Sequence, residues 1–390
     1  MRVLHVGKFF PPHPGGIERY CADLAAAQAA SGIATALLAH ADPGTRRART
    51  LQVNGVEVTL AACHGQFVYA PVSPAFPRLL SRVVREFRPD VLHLHVPNTS
   101  AFWALLSPAA RRVPWVVHWH SDIPGDSRKR RLRLAYQLYR PWERALLGRA
   151  RAVIATSQPY ADASAALQPW RDKVRVIPLG IPPASTSAPA PAGESLWPAQ
   201  GLRLLAVGRL SYYKGFDVLM RALVQVPQAQ LLLIGSGECD TALRALAREL
   251  AIEPRVRFAG HIDDAVLASA YAQADVFCLP SIDRAEAFGL VLLEAMRAGL
   301  PIIASNIRGS GVAYVVRDGE TGLLVTPNDA ATLGSAIHRF ASDPNLRQRL
   351  GAAGRQRWQE EFTLQRSAQQ VAELYQQVLR SHRAATTSGT

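Results

Sequence analysis

Short apolar runs alternate with helical stretches along most of the chain. In the first half the runs are RVLHVGKFF, IATALLAH, VEVTLA, VLHLHV, PWVVHWH, AVIATS and VRVIPLG. In the second half they are RLLAVGRL, QLLLIGSG, VRFAG, DVFCLPS, PIIASN and GLLVTP. Most are continuously apolar rather than alternating, the pattern of parallel strands covered on both faces. Helical segments such as GIERYCADLAAAQAASG and TALRALARELAI lie between them, so the order is βαβ on both sides of one break. The break, PPASTSAPAPAGESLWPAQG, is rich in Pro, Ala and Ser and has no apolar period. The pattern predicts a domain over 1–181, a linker over 182–200 and a second domain over 201–362. A closing helix over 363–382, able to pack back on the first domain, and a frayed tail over 383–390 follow. The expected fold class is α/β: two doubly wound parallel-sheet domains facing across a cleft, with ligands beyond the carboxyl ends of the strands.

Composition changes this picture in one respect. At 390 residues the chain is long enough for two domains, and 48% apolar residues supply both cores. No window of 18 apolar residues exists, and the amino terminus reads as a first strand rather than a leader. Cys21, Cys63, Cys239 and Cys278 show no CxxC spacing, so neither zinc nor a disulfide framework is indicated and the cytosol is the simplest compartment. The unusual quantity is a net charge of +14. It concentrates in SRKRRLRLAYQLYRPWERALLGRAR, where nine Lys/Arg accompany a single acid, Glu143. Such a segment reads either as a basic amphipathic helix for an anionic surface or as a solvated helix whose arginines lie along their own stems.

Candidate chemistry belongs after the strands. PPHPGGIERY places Gly15 and Gly16 before a helix, either a phosphate-accommodating turn or an ordinary one. No complete GxGxxG occurs, which argues against a nicotinamide or flavin cofactor. VGRLSYYKGFD puts Arg209 and Lys214 in a strand-to-helix loop, suited to gripping a diphosphate. In EAFGLVLLEAM, Glu286 follows a strand, a helix is expected from near Phe288 and Gly289, and Glu294 then lies about two turns in. Even if both were helical, the carboxylates would point about 80° apart, which disfavours a paired-acid hydrolase. A clamp for hydroxyls on either side of a phosphate fits better, with the amides of Phe288, Gly289 and Leu290 offered to an anion. His93 with His95, and His118 with His120, share strand faces. With no third-ligand pattern a metal is not expected; His95 and His120 are read as cleft residues and the others as structural.

Together the Gly pair, VHWHSD, GRLSYYKG and EAFGLVLLEAM resemble the GT-B glycosyltransferases of family 4, over residues 2 to about 375. The run SNIRGSGVAYVVRDGETGLLV is most similar to bacterial mannosyl- and rhamnosyltransferases of surface-polysaccharide assembly (lipopolysaccharide, O-antigen or exopolysaccharide). The resemblance implies a retaining enzyme with a nucleotide-sugar donor and no resident metal or cofactor. Arg209 and Lys214 would hold the diphosphate with the Gly16 backbone, Glu286 the transferred sugar, and Glu294 the ribose. His120 would contact the sugar and stabilise its developing charge, while Gly15 and His95 would face the acceptor. The implied acceptor is a lipid-linked saccharide or polysaccharide, met at the inner face of the cytoplasmic membrane through the basic segment 128–151. GDP-mannose or GDP-rhamnose is the expected donor. The rivals are a UDP-sugar enzyme, a nucleotide-sugar epimerase, a phosphorylase, and, from charge alone, a nucleic-acid-binding protein that lacks any recognition motif.

Overall fold

The computed structural model describes residues 1–67, 70–123, 130–184, 196–198 and 200–387. Its contacts divide the chain into two units, Met1–Pro182 with Leu364–Thr390, and Pro183–Thr363. Most of the 182–200 linker and the start of the basic segment lie outside the described residues. Where the chain is described again, Trp197 is buried and its Nε1 donates to the Leu204 carbonyl at 3.1 Å, so this end belongs to the second unit's packing.

The first unit is built on eight strands: β1 (Arg2–Phe9), β2 (Ala34–His40), β3 (Arg49–Val53), β4 (Val56–Ala61), β7 (Val91–Val96), β8 (Trp115–Trp119), β9 (Ala152–Ala155) and β10 (Val174–Val176). The short pair β5 (Gln66–Phe67) and β6 (Ala70–Pro71) stands apart. The sheet order is β10-β9-β8-β7-β1-β2-β4-β3. All neighbours are parallel except β3, which runs antiparallel to β4. Strand β3 was not expected. Its sequence RTLQV is polar and exposed at one edge, so it lacks the apolar run, and only the Asn54–Gly55 turn announces a hairpin.

The second unit carries six parallel strands: β11 (Leu202–Val207), β12 (Ala229–Ile234), β13 (Val256–Gly260), β14 (Val276–Leu279), β15 (Ile302–Ser305) and β16 (Gly322–Val325), in the order β13-β12-β11-β14-β15-β16. The chain order reverses between β7 and β1 in one sheet and between β11 and β14 in the other. These switch points are where loops diverge to opposite faces and leave a crevice at the carboxyl ends.

The closing helix spans Leu364–Thr387, five residues beyond the expected end. No Gly or Pro interrupts it before Gly389, so nothing local stops it. It packs on the first helix, Gly16–Ala30, through Tyr20 Oη and Ser367 Oγ at 2.8 Å. No helix among the described residues is long and apolar enough to cross a membrane.

Candidate active site

In the second unit the two loops at the switch point are pressed together. Gly215 has φ 64°, and a Cβ there would lie 2.2 Å from the Pro280 carbonyl oxygen, so no other residue fits without moving the loop after β14. Ile282 N donates to the Tyr213 carbonyl at 2.8 Å and ties the same loops. This contact brings Lys214 against Glu286 across 72 residues of sequence. Lys214 Nζ donates to Glu286 Oε2 at 2.6 Å and Ser281 Oγ donates to the same oxygen at 2.8 Å. Both charged side chains are about 8% exposed. Burial pulls the Lys214 ammonium down, but the adjacent Glu286 carboxylate outweighs it and leaves Lys214 above its ordinary value. The expected division of labour, one group for phosphate and one for sugar, thus meets a direct ion pair. Arg209 is exposed and makes no ion pair among the described residues, so its guanidinium is available to an anion.

The helix after Glu286 spans Leu290–Ala298, and Gly289 precedes it at φ 84°. The left-handed glycine delays the first helical residue, so Glu294 is the fifth residue of the helix, about one turn in rather than two. Phe288 is buried against Phe362, which leaves only its backbone for a ligand. The loop is pinned by Ser310 Oγ, which donates to the Glu286 carbonyl, and by Gly311 N, which donates to the Ala287 carbonyl at 2.8 Å. Glu294 Oε2 accepts from Tyr271 Oη at 2.8 Å. Burial, then the Glu294 charge, raises the Tyr271 phenol well above its usual value and keeps it a donor. Ser281 and Tyr271 were not foreseen: neither belongs to a spaced motif, and only the fold aims them at the two carboxylates.

In the first unit Gly15 and Gly16 are exposed at the start of their helix. A Cβ on Gly15 would lie 2.0 Å from Glu18 Oε2, so this helix end already carries a carboxylate of its own. His120 follows β8 and is 4% exposed. Strand register aligns His5 with His93 and His95 with His118, and the five imidazoles pack together with neighbouring centroids 4.3–5.4 Å apart. His5 is the third neighbour that no spacing had connected to the two pairs. His95 must be corrected: it is 1% exposed, and both ring nitrogens are hydrogen-bonded, to His5 and His120, so it does not present itself to an acceptor. Burial drives His5 to about 4 and His120 to about 3. Burial and neighbouring histidines hold His93, His95 and His118 well below their ordinary value, so the stack is neutral at pH 7.

Two doubly wound α/β units, each with its polar residues at the switch point, form the architecture of the GT-B glycosyltransferases. The profile described as glycosyl transferases group 1 matches residues 193–357, and that described as a glycosyl transferase 4-like domain matches residues 15–180. The chain is 33% identical over 349 residues to phosphatidyl-myo-inositol mannosyltransferase of Mycobacterium leprae, covering 87% of each. It is 31% identical over 377 residues to D-rhamnosyltransferase WbpZ of Pseudomonas aeruginosa, covering 93% of this chain and 92% of that one. Among solved structures, sucrose-phosphate synthase from Thermosynechococcus elongatus is similar with a TM-score of 0.79 and 26% identity, covering 97% of this chain and 99% of the other. The chain belongs to the group 1 glycosyl transferase family and is a glycosyltransferase.

Proposed function

We propose that this enzyme transfers a hexose, mannose or rhamnose, from a GDP-sugar to a lipid-linked or polysaccharide acceptor in cell-surface glycan assembly, with retention at the anomeric carbon. The observation that carries the reading is the Glu286 carboxylate, held on one oxygen by Lys214 and Ser281 just before a helix whose first turn has no side-chain cap among the described residues. A sugar diphosphate needs this combination: cations and helix N–H groups for the phosphates, and a carboxylate for the hydroxyls next to them. Arg209 and Lys214 take the diphosphate. Glu286 takes sugar hydroxyls beside the Phe288, Gly289 and Leu290 amides, and Glu294 takes the ribose. His120 contacts the transferred sugar, with Gly15 on the acceptor side. Two relatives named for mannose and rhamnose transfer support the choice of sugar.

In the front-face mechanism the acceptor oxygen bonds to the anomeric carbon as the bond to the phosphate oxygen breaks, and that phosphate oxygen takes the acceptor's proton. The two cations and the helix end stabilise the leaving diphosphate without a resident metal. For the acceptor, the basic helix Arg130–Arg149 is informative. It buries Tyr139, Glu143 and Leu146 and exposes Leu134, Leu138 and Trp142, spaced four apart, among Arg133, Arg140 and Arg144. An apolar stripe flanked by cations suits an anionic lipid surface on the cytoplasmic side, where a lipid-linked acceptor would be met.

Thermal shift against GDP, UDP, dTDP, ADP and CMP in EDTA tests the reading. A hundredfold excess over Kd adds about 2.7 kcal/mol. One diphosphate should raise the midpoint, and Arg209→Ala or Glu294→Ala should abolish the rise. No response to any of them would overturn the proposal.

A further inference from the structure

The stacked histidines are not all equivalent, because three of them are joined in a line. Gln28 Oε1 lies 2.9 Å from His5 Nε2, His5 Nδ1 lies 3.0 Å from His95 Nε2, and His95 Nδ1 lies 3.0 Å from His120 Nε2. For both histidine pairs the ring centroids are 5.3 Å apart with planes tilted by 26° and 13°. A 3.0 Å nitrogen contact inside a 5.3 Å centroid separation leaves about one ring radius at each end, so the rings meet edge to edge along a line. That is the geometry of an N–H···N hydrogen bond. Ligands of a shared cation would converge on a point beside that line, so within the trios His5–His93–His95 and His95–His118–His120 the pairs His5–His95 and His95–His120 read as hydrogen-bonded imidazoles rather than chelates, while His93 Nδ1 is taken by Tyr375 and neither His118 nitrogen has a partner among the described residues.

A chain of neutral imidazoles has a direction, set at its anchored end. The anchor is the Gln28 amide, whose orientation is fixed by its other contact. Tyr375 Oη lies 2.5 Å from His93 Nδ1 and 3.3 Å from Gln28 Nε2. O–H donors give short contacts, about 2.5–3.0 Å, and N–H donors longer ones, about 2.7–3.2 Å. The short contact is therefore the phenol donating to His93, and the long one is the amide N–H donating to the phenol. The reversed arrangement would need an N–H donor at 2.5 Å and an O–H donor at 3.3 Å, both well outside their ranges, whereas here the phenol is within its range and only the amide N–H, at 3.3 Å, is slightly long. With the amide so held, Gln28 presents its oxygen to His5, and each ring along the line donates from Nε2 and accepts at Nδ1. The line ends at His120 Nδ1, which is buried and has no hydrogen-bond partner among the described residues.

We propose that Gln28, pinned by Tyr375 and acting through His5 and His95, is a positioning residue that holds His120 in the Nε2–H tautomer and leaves Nδ1 as a lone-pair acceptor for a ligand hydroxyl. A phosphate oxygen or a carboxylate has no proton to offer this nitrogen, so the site selects a hydroxyl. The ligand part of this inference rests on His120 meeting the donor sugar, as proposed above.

The full chain labelled with 15N-histidine and assigned with single His5→Gln, His95→Gln and His120→Gln variants tests it by long-range proton–nitrogen correlation. His5, His95 and His120 should each show a protonated Nε2 and a pyridine-like Nδ1; a protonated His120 Nδ1 overturns the inference. Gln28→Met and Tyr375→Phe should turn the single His120 tautomer into an averaged one, whereas Gln28→Glu, which can only accept, should keep it. A single unchanged tautomer in all three variants also overturns it. Added GDP-mannose should move the His120 Nδ1 resonance and GDP alone should not. If no nucleotide raises the thermal midpoint while the tautomers stand as stated, the functional reading fails and the positioning chain survives. If GDP binds and Nδ1 carries the proton, the chain fails alone.

Discussion

Mild acid should destabilise the first unit selectively. Its buried histidines are held neutral, His5 and His40 at about 4 and His120 at about 3, against an ordinary value of 6.5. A base whose pKa is depressed by folding binds fewer protons in the native state than in the unfolded state. Its contribution to stability is complete above pH 6.5 and is lost as the pH falls toward the native value. Between pH 7.0 and 5.5 each such histidine costs about 1.2 kcal/mol, or about 4 kcal/mol for the three. His93, His95 and His118 are shifted in the same direction and add to the loss. Glu143 opposes them. Burial raises it to about 7, so the native state gains a proton over the same interval and recovers about 1.6 kcal/mol. The net loss for the first unit is at least about 2 kcal/mol, a large share of a typical domain's stability. Among the described residues every histidine driven down by burial lies in this unit. Urea titrations at pH 7.0 and 5.5, read by hydrogen exchange in peptides from each unit, measure the effect. The first unit's midpoint should drop while the second's moves little. An unchanged or rising first-unit midpoint, or equal movement in both units, would refute the reasoning.

Three further outcomes are expected. Lys214→Met leaves the buried Glu286 carboxylate without its cation and should cost about 3–5 kcal/mol in urea unfolding, much of it restored in the Lys214→Met/Glu286→Gln double variant; a loss under about 1 kcal/mol would contradict the buried pair. Tyr271→Phe removes one hydrogen bond from Glu294, worth about 1 kcal/mol, so the affinity for the nucleoside diphosphate that binds should fall about fivefold by calorimetry with the fold intact; an unchanged Kd would mean that Glu294 does not hold the ribose. Leu138→Glu with Trp142→Glu should reduce sedimentation with anionic phospholipid vesicles at least tenfold, while equal binding would remove the lipid surface from the account.

Where an element depends on its own composition, the sequence was enough to place it. Parallel strands buried on both faces demand continuous apolar runs, and runs such as VEVTLA and VLHLHV coincide with β4 and β7. The loops that follow carry Arg209, Lys214 and Glu286, and that position alone marked them as candidate chemistry. Strand β3 escaped because a polar edge strand needs no such run, and the closing helix ran past its expected end because no residue there forbids helix. Nothing local specifies the ion pair between Lys214 and Glu286, the reach of Tyr271 to Glu294, or the file of His5, His95 and His120. Those depend on strand order and register, set by which apolar faces pack together across distances where residue periodicity carries no information. The residues were determined by the sequence, and their partners only by the crossovers that laid one strand beside another.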